Sequence, residues 1–184
     1  MTGKSRRQRF PVASTQGPAT IAGSDCGTCP RRCLAGPERL VGIGFRCWLA
    51  GYQTGDIGCW ELAWNTFAGE LGSARAKPAI TELSCWVRDI KDSAQRRIEV
   101  FPGPCATFCR DECMAVSMIA AGQHDHCPAL RACALALLEH SDAGAVIEGA
   151  RTFAHVLRDL EVVLSPDAVI NATAVAALPA SQRH

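Results

Sequence analysis

The chain has 184 residues, 48% of them apolar and 20% charged, the proportions of one folded domain rather than of a disordered or fibrous chain. Nineteen basic against eighteen acidic residues leave a net charge of +1, which excludes a strong overall attraction to nucleic acid or to an anionic membrane. Cysteine is the unusual feature: 11 residues, several times ordinary usage yet below the roughly 8–10% of a short disulfide scaffold, which points to metal or thiol chemistry.

Residues 1–24 mix Gly, Pro, Ser and Thr with Lys4, Arg6, Arg7 and Arg9 and carry no hydrophobic period. They read as a disordered basic arm, the one segment suited to nucleic acid phosphates, and only weakly so. Arg6-Arg7 would open a twin-arginine export signal, but the apolar run of about 7–15 residues that such a signal needs does not follow. The longest apolar stretch, residues 132–138, falls far short of the ~18 needed to cross a bilayer. The expected setting is the cytoplasm, without membrane contact, where clustered thiols serve as metal ligands or redox centres more often than as disulfides.

Pro37, suited to a first helical turn, precedes Leu40, Val41, Ile43, Phe45, Cys47 and Leu49, and predicts a helix weakened by Gly42 and Gly44. A second helix is marked by Ile57, Trp60, Trp64, Phe67 and Leu71 at spacings of three and four, with Asp56 as N-cap and Gly72 as stop. A third runs from Pro78 with Ile80, Leu83, Val87 and Ile90 on one stripe, closing on the charged residues 91–97. Residues 98–104 break the period, since two prolines around a glycine cannot continue a helix; 98–101 is the only plausible strand, and the segment divides the chain into possible halves, 25–97 and 104–168. A fourth helix is expected over 104–121, a fifth over 126–140, and a sixth from the caps Ser141 and Asp142 to Pro166 with a clean apolar face. Residues 169–184 read as a flexible tail. The fold class is all-α, an irregular bundle of about six helices.

Cys26-Gly-Thr-Cys29-Pro-Arg-Arg-Cys33 is a CxxC extended by a third thiol. A two-residue gap lets one turn of backbone present two sulfurs to one centre, as in zinc and iron-sulfur sites, and Cys47 or Cys59 could supply a fourth ligand. The four residues of Cys26-Gly-Thr-Cys29 also resemble thioredoxin-type motifs, which would imply a redox-active pair.

Cys-Trp occurs three times, as Cys47-Trp48, Cys59-Trp60 and Cys85-Trp86. Random placement of 11 cysteines and four tryptophans in 184 positions gives about a quarter of one such pair. Either three thiols converge under a tryptophan cover, or small thiols pack beside large rings in the core. Cys105, Cys109 and Cys113 fall on one stripe of the expected fourth helix, each step climbing about 6 Å, so at most two adjacent sulfurs share one ion. An antiparallel fifth helix would bring Cys133 level with Cys109 and Cys113, a three-sulfur set, while His124, His126 and Cys127 form a separate candidate metal cap at the turn. The ladder of thiols looks like the cysteine-lined bundles that store copper(I), with Met114 and Met118 as further soft ligands.

No phosphate-cradling loop, nucleophile elbow or paired-histidine zinc motif occurs, and Glu61, between two tryptophans, is expected on an exposed helix flank. The expectation is a cysteine-rich metal-binding protein, iron-sulfur or zinc, with a sensing, electron-transfer or structural role and an unidentified protein partner. The alternatives are a helical interaction protein whose thiols are core packing, a thiol-redox enzyme using Cys26 and Cys29, and a copper(I) binder.

Overall fold

A computed structural model describes residues 34, 36–103 and 105–169. The expected arm, nearly all of the expected tail, and Cys26, Cys29 and Cys33 lie outside the described residues. The main helices are α1 (Gly36–Thr54), α2 (Ile57–Leu71), α3 (Ser73–Ser93), α4 (Arg110–Gln123), α5 (Cys127–Leu138) and α6 (Gly144–Asp159), followed by a helical turn at 166–169, with no strand among the described residues. One hydrophobic cluster draws on residues from both sides of the 98–104 connector, with α3 packed on α6 and α1 on α4.

α1 and α4 are the inner helices, and each is buried almost all round. The glycines that weaken α1 intrinsically are what lets it be inner. A methyl group on Gly42 would lie 2.8 Å from Phe108 Cδ1, and one on Gly44 would lie 2.7 Å from Phe67 and 2.9 Å from Leu83. Each glycine trades helix propensity, about 1 kcal/mol, for the seat of a large side chain.

The expected caps of α2 are present: Asp56 Oδ1 accepts the Gly58 N–H at 2.8 Å, and Gly72 terminates the helix at φ 79°. Gly72 is also the N-cap of α3, so α3 starts at Ser73, five residues before the expected Pro78, which the helix absorbs in its second turn. The expected burial of α2 is only partly realised. Ala63 and Phe67 are buried, Trp60 and Trp64 are half-buried, and Ile57 is 64% exposed.

The fourth helix departs most from expectation, and Arg46 supplies the reason. This fully buried guanidinium on α1 donates to the carbonyls of Cys105 and Thr107, both at 2.6 Å, and to both carboxylate oxygens of Glu112 at 2.6 and 3.2 Å. Those two carbonyls are the ones a helix starting at 104 would need as acceptors for the Cys109 and Asp111 N–H groups. With them engaged, Cys109 becomes the N-cap, its N–H donating to Glu112 Oε2 at 2.7 Å, and the helix begins at Arg110. The connector is pinned by the same carboxylates: Phe101 N–H donates to Glu112 and Glu99 N–H to Asp111, which also holds Arg96 through two 2.7 Å bonds.

α6 ends at Asp159 instead of near Pro166. Glu161 turns the chain through φ 61°, and the buried Gln123 side chain then takes the Leu164 N–H and donates to the Val162 carbonyl, both at 2.8 Å. Leu164, expected on the helical face, is buried from this non-helical segment.

Candidate functional site

The described thiols are dispersed. Among the described residues no three His, Cys, Asp or Glu side chains gather so as to hold a metal ion. Cys105 lies in the connector rather than on α4, so the three-step stripe does not form. Cys109 is buried at the N-cap and donates its thiol to the Glu99 carbonyl at 3.1 Å. Cys113 is half-buried on α4, and Cys133 is wholly buried on α5. The expected Cys109, Cys113 and Cys133 set is therefore not assembled.

The turn cap is not assembled either. His124 meets the Leu164 carbonyl at 2.8 Å, His126 is exposed at the N-cap of α5, and the exposed Cys127 accepts from Arg151 at 3.4 Å. The three Cys-Trp pairs do not gather their sulfurs. Cys47 is buried, Cys59 is half-buried with its thiol 3.9 Å from Asp56, and Cys85 is half-buried on α3.

Burial sets the chemistry of these groups. It pushes the Cys133 thiol up to about 12 and, with the neighbouring Cys59, pushes Cys47 to about 11. Cys109 is pushed higher still by burial and by the Glu112 charge. Thiols held this way stay protonated and poorly nucleophilic at neutral pH. Cys105 is shifted the other way: a 3.3 Å contact with the Thr107 hydroxyl, backed by the Thr107 backbone and the Arg46 charge, favours its thiolate.

What the fold gathers instead is tryptophan. Trp60 and Trp64 stand one turn apart on α2, and with Trp48 of α1 and Ile80 of α3 they line an open cleft of about 520 Å³ with Glu61 and Asn65. Trp60 is its fixed element. Its ring centroid is 6.3 Å from that of Trp48 and 5.8 Å, edge to face, from that of Tyr52, and its N–H donates to the Trp48 carbonyl at 3.4 Å. Gly51 makes the seat, because a methyl group there would lie 2.6 Å from Trp60 Cε2. Tyr52 is tied to the Ser84 carbonyl of α3.

Two functional features escape sequence reasoning. The helical period places Trp60 and Trp64 in the core, whereas they half-emerge; a signal was available in Glu61 and Asn65, which follow each of them one position on and mark a polar flank. The Arg46–Glu112 pair was signalled by a lone arginine inside the apolar run of α1 and by a glutamate three residues after Cys109, capping-box spacing with cysteine in the place of serine.

No family model matches the chain, and neither a curated protein nor a solved structure matches it. No helix among the described residues is long and apolar enough to cross a membrane. The class defined by fold and site is an all-α bundle with an aromatic surface cleft.

Proposed function

We propose that this chain is a helical binding module of the cytosol that recognises its target through the Trp48, Trp60 and Trp64 cleft, with most of the described thiols acting as packing. The observation that carries this reading is the distribution of rings: three of the four tryptophans line one cleft on α1, α2 and α3, and the single tyrosine packs edge to face on one of them, Trp60. Single exposed apolar side chains are ordinary, but a contiguous half-buried aromatic group keeps apolar surface in water that folding alone would hide. Tryptophan and tyrosine supply large, rigid contact area at little entropic cost, which is why they dominate recognition surfaces.

The test is to label the indole N–H groups with nitrogen-15 and screen small cations, neutral aromatic compounds and short peptides. Binding should move the Trp48, Trp60 and Trp64 signals together and leave buried Trp86 in place. A screen in which no member moves those three signals removes the reading.

A second reading, metal binding by Cys26, Cys29 and Cys33 with Cys47 or Cys59 as a fourth ligand, is favoured by their spacing. Anaerobic purification with metal analysis and a visible spectrum tests it: absorbance near 400 nm supports an iron-sulfur cluster, stoichiometric colourless zinc supports a zinc site, and metal-free protein retires both.

A further inference from the structure

We infer that the cleft binds a small, free alkylated ammonium ion of the choline class; this rests on the reading of the cleft as a recognition site and names its ligand. Four features of the lining select that chemistry. Indole is the best of the aromatic faces for a cation, because its quadrupole places negative charge over the ring, and three indoles line this one cleft. Glu61 is the only charged residue of the lining, so the one formal charge available to a ligand is negative.

The third feature is the shortage of donors. The Trp60 N–H is engaged by the Trp48 carbonyl, and the Trp48 N–H is buried. Among the lining residues that leaves two uncharged side-chain donors, the Asn65 amide and the Trp64 N–H, to serve a ligand rich in acceptors. A primary ammonium brings three N–H donors that each need an acceptor, whereas a fully alkylated one brings none and is cheaper to strip of water. Its methyl groups instead meet ring carbon.

The fourth feature concerns the source of the cation. A phosphocholine headgroup carries a phosphate next to its ammonium, and no lysine or arginine lines the cleft to receive it. The lining therefore favours the free ion over a lipid.

Gly51 is a positioning residue for this site. It touches no ligand, but its missing side chain lets Trp60 lie against α1, and Gly51→Ala would displace the ring.

The experiment titrates the full chain with choline and with its uncharged carbon isostere, 3,3-dimethylbutan-1-ol, following the labelled indole signals. Choline should bind about tenfold more tightly than the isostere, the size of a partly desolvated cation–π contribution. Glu61→Gln, at an exposed position, should weaken choline about threefold or more and leave the isostere unchanged, and Trp60→Ala should abolish both.

Equal binding of choline and the isostere overturns the cation assignment while leaving the recognition role of the cleft standing. An unchanged choline affinity in Glu61→Gln also overturns it. Capture by phosphatidylcholine vesicles without binding of free choline replaces the free ion with a lipid. No response from either probe, when other members of the screen do move the three indoles, again removes only the cation, and silence across the whole screen removes both readings.

Discussion

Phe45, Trp86 and Phe153 pack with ring centroids 5.8 and 5.9 Å apart in the interior, while Tyr52, Trp60 and Trp48 pack with centroids 5.8 and 6.3 Å apart at the surface. Both groups rest on a glycine: a methyl on Gly149 of α6 would lie 3.2 Å from Trp86, and one on Gly51 of α1 would crowd Trp60. The ring spacings are similar and the surroundings are not. Trp86 is covered by α1 and α6 until none of it meets water, whereas α2, an outer helix with only Ala63 and Phe67 buried, leaves the second group covered on one side. Rings at similar spacings therefore serve stability in one place and leave unspent binding surface in the other.

The sharpest way to break that contrast is to truncate one ring of each group. Trp86→Ala should cost about 3–5 kcal/mol of unfolding free energy, the usual loss for a large buried aromatic. Trp60→Ala should cost less, about 1–3 kcal/mol, because part of its ring is already in water. Urea denaturation of both variants measures the difference, and equal losses would mean that the cleft is core.

Glu112→Gln comes next, at about 3 kcal/mol by the same measurement. Glu112 Oε1 accepts from Arg46 and the Phe101 N–H, and Oε2 accepts from the Cys109 N–H and Arg46. A glutamine amide must point its NH₂ at one of these donors in either orientation, and it leaves the Arg46 charge buried without a counter-charge. The connector should loosen first, seen as faster hydrogen exchange at Phe101 and Glu99 with the indole signals of the cleft unmoved. If the cleft moves as well, the two regions are coupled and the comparison fails.

A smaller effect separates the regions by pH. The Cys47 thiol ionises near its ordinary value of 9 when unfolded and at about 11 when folded. Between those values the unfolded chain holds fewer protons, so this stability, complete below pH 9, is lost as pH rises toward 11, on the order of 2–3 kcal/mol. Cys47→Ala should flatten the alkaline fall in urea midpoint. An identical slope with and without this thiol would place it in contact with water.

Period and caps made most of the fold legible in the sequence. Asp56 and Gly72 bound α2 as their chemistry dictates, and the stripes of α3 and α6 reach the core. The misplaced start of α4 and end of α6 share one physical cause: side chains distant in sequence took backbone groups away from a helix. Arg46 did so at Cys105 and Thr107, and Gln123 did so at Val162 and Leu164, partners 59, 61, 39 and 41 residues away that no local pattern contains. The site was legible in composition and not in arrangement. The Cys-Trp repeats mark Trp48 and Trp60, but a dipeptide carries no sign that the tertiary fold disperses the sulfurs and leaves the neighbouring rings half-open.

That division between covered and open also orders the thiols, with no cost to stability. At pH 8, site-resolved mass spectrometry of alkylation should find Cys105 labelled well before Cys47, Cys109 and Cys133, since reaction needs both access and thiolate. Cys105 is half-exposed and its thiolate is favoured, while the other three are buried with raised pKa values. Thr107→Val keeps the shape of residue 107 and deletes the hydroxyl 3.3 Å from the sulfur, so it should slow Cys105 labelling several-fold without altering the buried set. Cys105 labelling that does not respond to Thr107→Val would leave exposure as the sole determinant, and early labelling of Cys47 would show that the α1 and α2 interface beside Trp60 opens as readily as the cleft itself.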